Sequence, residues 1–304
     1  MTSVDLNLPL SRLSLVFIFA AMAVYTVSFL IFAWNLAQAS SSKKAERAKA
    51  TRSEKWGFGL FATAAAIHGA GVIMRGISAG RVPWANMYEF SISGSFIVVM
   101  IYLLSIRVRD IRVIASFVNA FVLLVLGSAT TIFYVQVKTL MPALQSYWLV
   151  IHVTVAVLAT AFFNIAAALS VAYLLRGSAW VENSKLKAIG IVRRVLSVFP
   201  KMEQLERLQN RFNSIGLLLW SFTLIAGAIW AERAWHRFWG WDTKEVWTFI
   251  IWTLYAGYFH ATTTRGWTGK RAAWLSLVGF SAVIFNFTIV NLFFKGLHVY
   301  SGLK

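Results

Sequence analysis

The sequence predicts an all-α polytopic membrane protein, a single integral membrane domain over residues 1–304 with about eight transmembrane helices and both termini on the extracytoplasmic side. Three observations predict it. Of the 304 residues, 59% are hydrophobic and only 13% are charged, with a mean hydropathy of +0.67, too apolar a balance for a soluble globule. Several runs approach the ~20 apolar residues that cross a bilayer core as helix, and the residue-by-residue alternation of barrel strands is absent. The cations fall in alternate loops: residues 43–55, 107–112, 176–211 and 265–271 hold 20 of the 29 lysines and arginines, which orients those loops toward the cytoplasm.

Taken in order, the first span is expected at residues 12–36. The stretch before it carries Asp5 and no cationic cluster, so a retained anchor is expected there instead of a cleaved signal. After the basic loop comes a span at 56–76. The outer segment RVPWANMYEF, with helix-breaking Pro83 and with Glu89 at its end, leads into a span at 89–106. A short basic loop separates this from 113–134, and the outer loop PALQSYW precedes 148–175. Residues 177–211 intersperse apolar residues with Lys, Arg and Glu, as a cytoplasmic amphipathic connector lying along the membrane surface does. The remaining spans are expected at 213–231, 246–264 and 272–295, with an external tryptophan-rich loop at 232–245.

Composition also excludes functions. A formal charge of +18 suggests nucleic acid as a partner, but topology accounts for it more economically, and no nucleic acid is expected. The absence of cysteine removes zinc-thiolate sites, iron–sulfur clusters and thiol chemistry from the chain itself. No internal repeat supports an inverted-repeat transporter.

The most informative stretch is Trp230–Trp252, WAERAWHRFWGWDTKEVWTFIIW, which holds six of the fourteen tryptophans. An interfacial aromatic belt explains some of them but not their density. A wide aromatic surface bordered by fixed charges suits a large, flat, poorly soluble ligand with acidic edges, and haem meets that description. Arg233, Arg237 and Lys244 are placed to meet its propionates. For Asp242 and Glu245, a capping box at the start of the seventh span is at least as good a reading as ligand contact.

Five histidines are candidates for iron. His152 lies about one turn into the fifth span, with Trp148 on the same helical face, and His298 follows the eighth span on the same outer side. Together they can supply two axial nitrogens, or stand as independent interfacial residues. His260 and His68 lie at comparable depths within the bilayer, as a second haem station or as structural groups. Gly69 and Gly71 beside His68 also fit close helix packing. The RVPWANMYEF segment is a candidate lid over the platform.

At these residues the sequence resembles the CcsA (ResC) family of the System II cytochrome c maturation machinery, within the haem-handling proteins named for a WWD domain. The resemblance runs from RVPWANMYEF onward. The family's run, roughly WGxxWxWDPKExW, is matched by Trp235, Trp239, Gly240, Trp241, Asp242, Lys244, Glu245 and Trp247, while His236 replaces a glycine and Thr243 a proline. The resemblance implies that His152 and His298 hold the iron of haem b at the external site, that His260 is an intramembrane ligand, and that His236 is at most an added one. It implies a CcsB/ResB-like membrane partner, apocytochrome c with its Cys-x-x-Cys-His segment, a thiol-reducing partner, and a bacterial plasma membrane or a thylakoid. The expected function is to move haem to the outer face and present it for attachment, within a holocytochrome c synthase complex. The alternatives are a haem transporter without attachment activity and a bis-histidine electron-transfer subunit.

Overall fold

The computed structural model describes residues 6–39, 44–139, 144–178, 187–197, 199–294 and 296–297. Among them every regular element is helical. Helices α1 (Leu8–Ala39) and α2 (Lys44–Ala79) form an intimate pair. Ser14 and Ser28 of α1 donate to the carbonyls of Gly71 and Gly57, at 2.7 and 2.9 Å. A Cβ on Gly57 would fall 2.8 Å from the Phe32 ring, so its missing side chain sets how closely the pair packs. The charged prefix from Lys44 to Lys55, expected as loop, is the beginning of α2. It continues the helix beyond the apolar span, since nothing in its composition breaks one.

Asn86 caps α3 (Met87–Val108) by accepting from the Glu89 amide at 2.9 Å, and a 3₁₀ turn at Arg112–Ile114 leads into α4 (Ala115–Thr131). Ser146 caps α5 (Tyr147–Arg176). Within the connector, α6 (Lys187–Ser197) is strongly one-sided, burying Leu196 while Arg193 faces out. The connector's last ten residues are continuous with the next span as the first turns of α7 (Met202–Trp235), whose 34 residues run for about 50 Å.

Helix α8 (Thr243–Thr263) coincides with the predicted seventh span, and α9 (Lys270–Phe285) passes into a π turn at Asn286–Val290 and a last α turn at Asn291–Phe293. Seven helices among the described residues are long and apolar enough to cross a membrane. Of the eight expected spans, the one outside these seven is the seventh, α8, whose 21 residues reach about 31 Å but whose Lys244, Glu245 and His260 make it less apolar than the rest.

Helix α5 is the shared wall. Its alanine-rich faces, including Ala159, Ala161, Ala166 and Ala172, are fully buried, one against α1–α4 and the other against α7–α9. Phe163 of α5 stacks on Tyr255 of α8, ring centroids 3.6 Å apart and nearly parallel, and Gly216 of α7 leaves room for the Phe163 ring. Two helical groups thus meet along α5, and at the end that carries the tryptophan-rich segment they border a cavity.

Candidate functional site

The cavity measures about 490 Å³, within the range of small-molecule pockets. Its wall is mostly apolar, drawn from α3, α4, α5, α7, α8, α9 and the tryptophan loop. Trp84, Trp220, Trp230 and Trp239 contribute indoles, and His152, Lys244, Glu245 and Asn291 are among its polar members.

The position of His152 follows from α7. Nδ1 lies 2.9 Å from the Thr223 carbonyl oxygen, which can only accept, so Nδ1 carries the proton and the ring's lone pair is on Nε2. A Cβ at Gly227 would fall 2.7 Å from His152 Cε1, so this glycine gives the imidazole its seat. One turn on, the buried Trp230 ring lies near-parallel to the imidazole, centroids 6.0 Å apart. Trp148, expected on the face of His152, joins Leu144, Leu149, Trp230 and Trp235 in a satellite cluster at this end of the molecule.

The tryptophan loop is folded around one carboxylate. Glu245 Oε2 accepts from the Gly240 amide at 2.8 Å and the Asp242 amide at 3.1 Å, while Oε1 lies 3.4 Å from Arg237. Asp242 caps α8 through the Lys244 amide, and the capping box with Glu245 is formed as the sequence indicated. Its Oδ2 accepts from the Leu297 amide at 2.8 Å, so the segment after α9 reaches the loop at Asp242. His298, the residue following Leu297, lies outside the described residues.

The tryptophans divide. Trp239 lies in the cavity wall, Trp247 packs on Phe285 with centroids 4.3 Å apart, and Trp241 is 75% exposed with a positive φ of 59°. Trp235 packs against Trp230 and receives Arg237 over its face at 5.8 Å. Arg233 is exposed, 3.7 Å from Glu232. Lys244 turns inward instead of toward the rim: Nζ donates to the Asn286 carbonyl at 2.8 Å and to Asn291 Oδ1 at 3.1 Å. That carbonyl is at the π turn of α9, and π turns recur at functional sites because they displace backbone groups from the regular ladder. The bonding of Lys244 to this turn was not legible in the sequence.

The other histidines lie apart. His68 is fully buried; Nε2 donates to the Ile92 carbonyl at 2.9 Å and Nδ1 accepts from the Tyr25 hydroxyl at 3.4 Å. Both nitrogens bridge α2 to its neighbours. His260 is exposed on α8 near its C-terminal end, and His236 ends α7 in left-handed geometry, φ 56°.

One buried group escaped the sequence reading altogether. Arg75, fully buried in α2, donates to Glu89 at 3.0 Å, to Ser11 and to the Val135 carbonyl, and Arg81 adds a 2.6 Å bond to the same carboxylate. Glu89 also accepts from the Ala85 amide, so the segment carrying Trp84 is moored to the helices beside the cavity. An arginine within an apolar span was the available signal.

A family model described as "Cytochrome C assembly protein" matches residues 84–298, beginning at Trp84 of the moored segment and ending at His298. The chain belongs to that family. Among its curated relatives, the protein named "Cytochrome c biogenesis protein CcsA" of Prochlorococcus marinus is 33% identical over 260 residues, covering 79% of this chain and 82% of the relative. The like-named proteins of Guillardia theta and Synechococcus elongatus are 33% and 32% identical. They cover 76% and 74% of this chain, and 80% and 81% of their own lengths. Membership gives this protein a role in cytochrome c maturation. The cavity, the loop and α5–α9 lie within the family match, while α1 and α2 precede it. Haem is the cargo that such a role handles, and an apolar cavity with an imidazole of fixed tautomer in its wall fits it.

Proposed function

We propose that this protein carries haem b to the outer face of its membrane and presents it beneath the tryptophan loop for covalent attachment to apocytochrome c. The observation that supports this most is His152, in the wall of an apolar cavity with its Nδ1–H engaged by Thr223 and its lone pair on Nε2. Metal-binding histidines are oriented in this way by a second acceptor. His298 is the proposed second axial ligand. Trp235, Trp239, Trp241 and Trp247 frame the platform, with Asp242 holding the start of α8. Exposed Arg233 is the better propionate donor, since Arg237 already serves Glu245.

Haem supplies two vinyl groups. Each cysteine S–H of a reduced Cys-x-x-Cys-His segment adds across one vinyl C=C, sulfur to one carbon and hydrogen to the other, with no net change in oxidation state. The chain contributes orientation: fixing the vinyl edges against the thiols raises their effective concentration. Having no cysteine, it leaves thiol reduction to a separate partner.

The cation bias supports both termini and the 232–245 loop on the extracytoplasmic side and the 177–211 connector in the cytoplasm, in a bacterial plasma membrane or a thylakoid. His260, exposed on α8, is proposed to meet a CcsB/ResB-like partner at an intramembrane haem station. The electron-transfer alternative loses support, because it pairs His68 with His260 and both His68 nitrogens are engaged elsewhere. To test the reading, the tagged chain is purified with its membrane partner after His152→Ala and His298→Ala replacement. Haem absorbance and cytochrome c yield should both fall, and unchanged haem with unchanged yield would refute it. Supplying external haem to cells lacking the chain separates presentation from transport alone, since transport alone predicts recovery of cytochrome c.

A further inference from the structure

At the end of the molecule opposite the tryptophan loop lies a second cavity, of about 940 Å³, between α1, α2, the α3–α4 turn and the start of α7. One wall is apolar, with Phe32, Leu36 and Phe58. The other holds Arg109, Arg112, Arg207 and Arg211 against only Glu54 and Asp110.

The two acids are already committed. Arg112 donates to both Asp110 oxygens, at 2.8 and 3.0 Å, and lies 3.3 Å from Glu54. The hydrogen bond from Arg112 lowers the Asp110 carboxyl below its ordinary value, so Asp110 stays ionised. Arg109, Arg207 and Arg211 have no carboxylate partner among the described residues, so four guanidiniums meet two carboxylates.

Depth identifies the ligand. Asn35 and Glu54 line the cavity, and their near neighbours Trp34 and Trp56 are 63% and 64% exposed on the outer faces of α1 and α2. Exposed tryptophans at helix ends mark the headgroup level of a bilayer. An apolar wall beside unpaired arginines at that level matches an acyl chain beside a phosphate, and basic pockets between membrane helices on the cytoplasmic side recognise anionic headgroups. We infer that this cavity is a binding site for an anionic phospholipid, its phosphate held by Arg109, Arg207 and Arg211 and a chain lying along Phe32 and Phe58. The inference does not depend on the haem reading, and its test reads lipid alone.

The delipidated full chain in detergent is titrated with dioleoyl phosphatidylglycerol, with dioleoyl phosphatidylcholine and with inorganic phosphate, and bound adducts are counted by native mass spectrometry. Phosphatidylglycerol should bind at least tenfold more tightly than phosphatidylcholine. An arginine near an anionic surface contributes about fivefold, so Arg207→Gln with Arg211→Gln should weaken phosphatidylglycerol about thirtyfold. Should that variant not fold, Glu54→Gln reads the same site in the opposite direction, because it removes one compensating charge and should tighten the lipid. Equal binding of the two lipids, indifference to both sets of substitutions, or inorganic phosphate binding as tightly as phosphatidylglycerol would each overturn the assignment.

Discussion

Lys244 Nζ donates to the main-chain carbonyl of Asn286 across 2.8 Å, joining the first turn of α8 to the π turn of α9. A charge beside the tryptophan loop that pattern alone assigned to a ligand's acid groups is therefore a brace between two helices. Lys244→Met should leave that acceptor and Asn291 Oδ1 without their donor, at a cost of about 1–3 kcal/mol. Thermal unfolding of the purified chain in detergent checks it, and an unchanged midpoint would show that the brace contributes nothing.

Gly227 gives the His152 ring its seat on α7. Gly227→Ala places a methyl where the imidazole now lies, so the ring must swing away from Thr223. On the proposed reading, the spectrum of co-purified haem should change and its amount should fall, while Gly257→Ala, which meets open space on α8, should change neither. Equal behaviour of the two variants would detach His152 from haem.

Glu89, itself fully buried, pairs with buried Arg75 and with Arg81 at the edge of the site. Glu89→Gln leaves buried Arg75 and partly buried Arg81 without a countercharge, and breaking the buried Arg75 pair in this way costs about 3–5 kcal/mol. Limited proteolysis should find faster cleavage near residues 81–86 in the variant than in the parent. Matching cleavage rates would mean that the carboxylate does not moor the segment.

His236 occupies a left-handed C-terminal position, φ 56°, that glycine takes at least cost. His236→Gly should therefore leave haem content unchanged and raise stability by up to about 1 kcal/mol. A drop in bound haem would instead assign this imidazole to iron.

His68 bridges helices through both ring nitrogens. His68→Ala should lower the unfolding temperature without altering the absorption bands of bound haem. A shifted Soret band would contradict the structural role.

The all-helical membrane architecture was legible in the sequence because a bilayer tolerates few solutions: every backbone polar group must be satisfied within the segment, and apolar length alone marks it. Capping at Asp242–Glu245 and the density of indoles in one segment were legible for a similar reason, since both are set by neighbours in sequence. The elongated α2 and α7 were not, because their charged ends follow helix propensity while the apolar pattern stops at the membrane boundary. Tertiary structure alone decided which polar groups face each other: His152 with Thr223, His68 with Ile92 and Tyr25, Arg75 with Glu89, Lys244 with Asn286. Each of these contacts spans from 14 to 71 residues of chain. Inside an apolar medium a buried donor takes whichever acceptor the packed helices bring near, and no spacing along the chain records that choice.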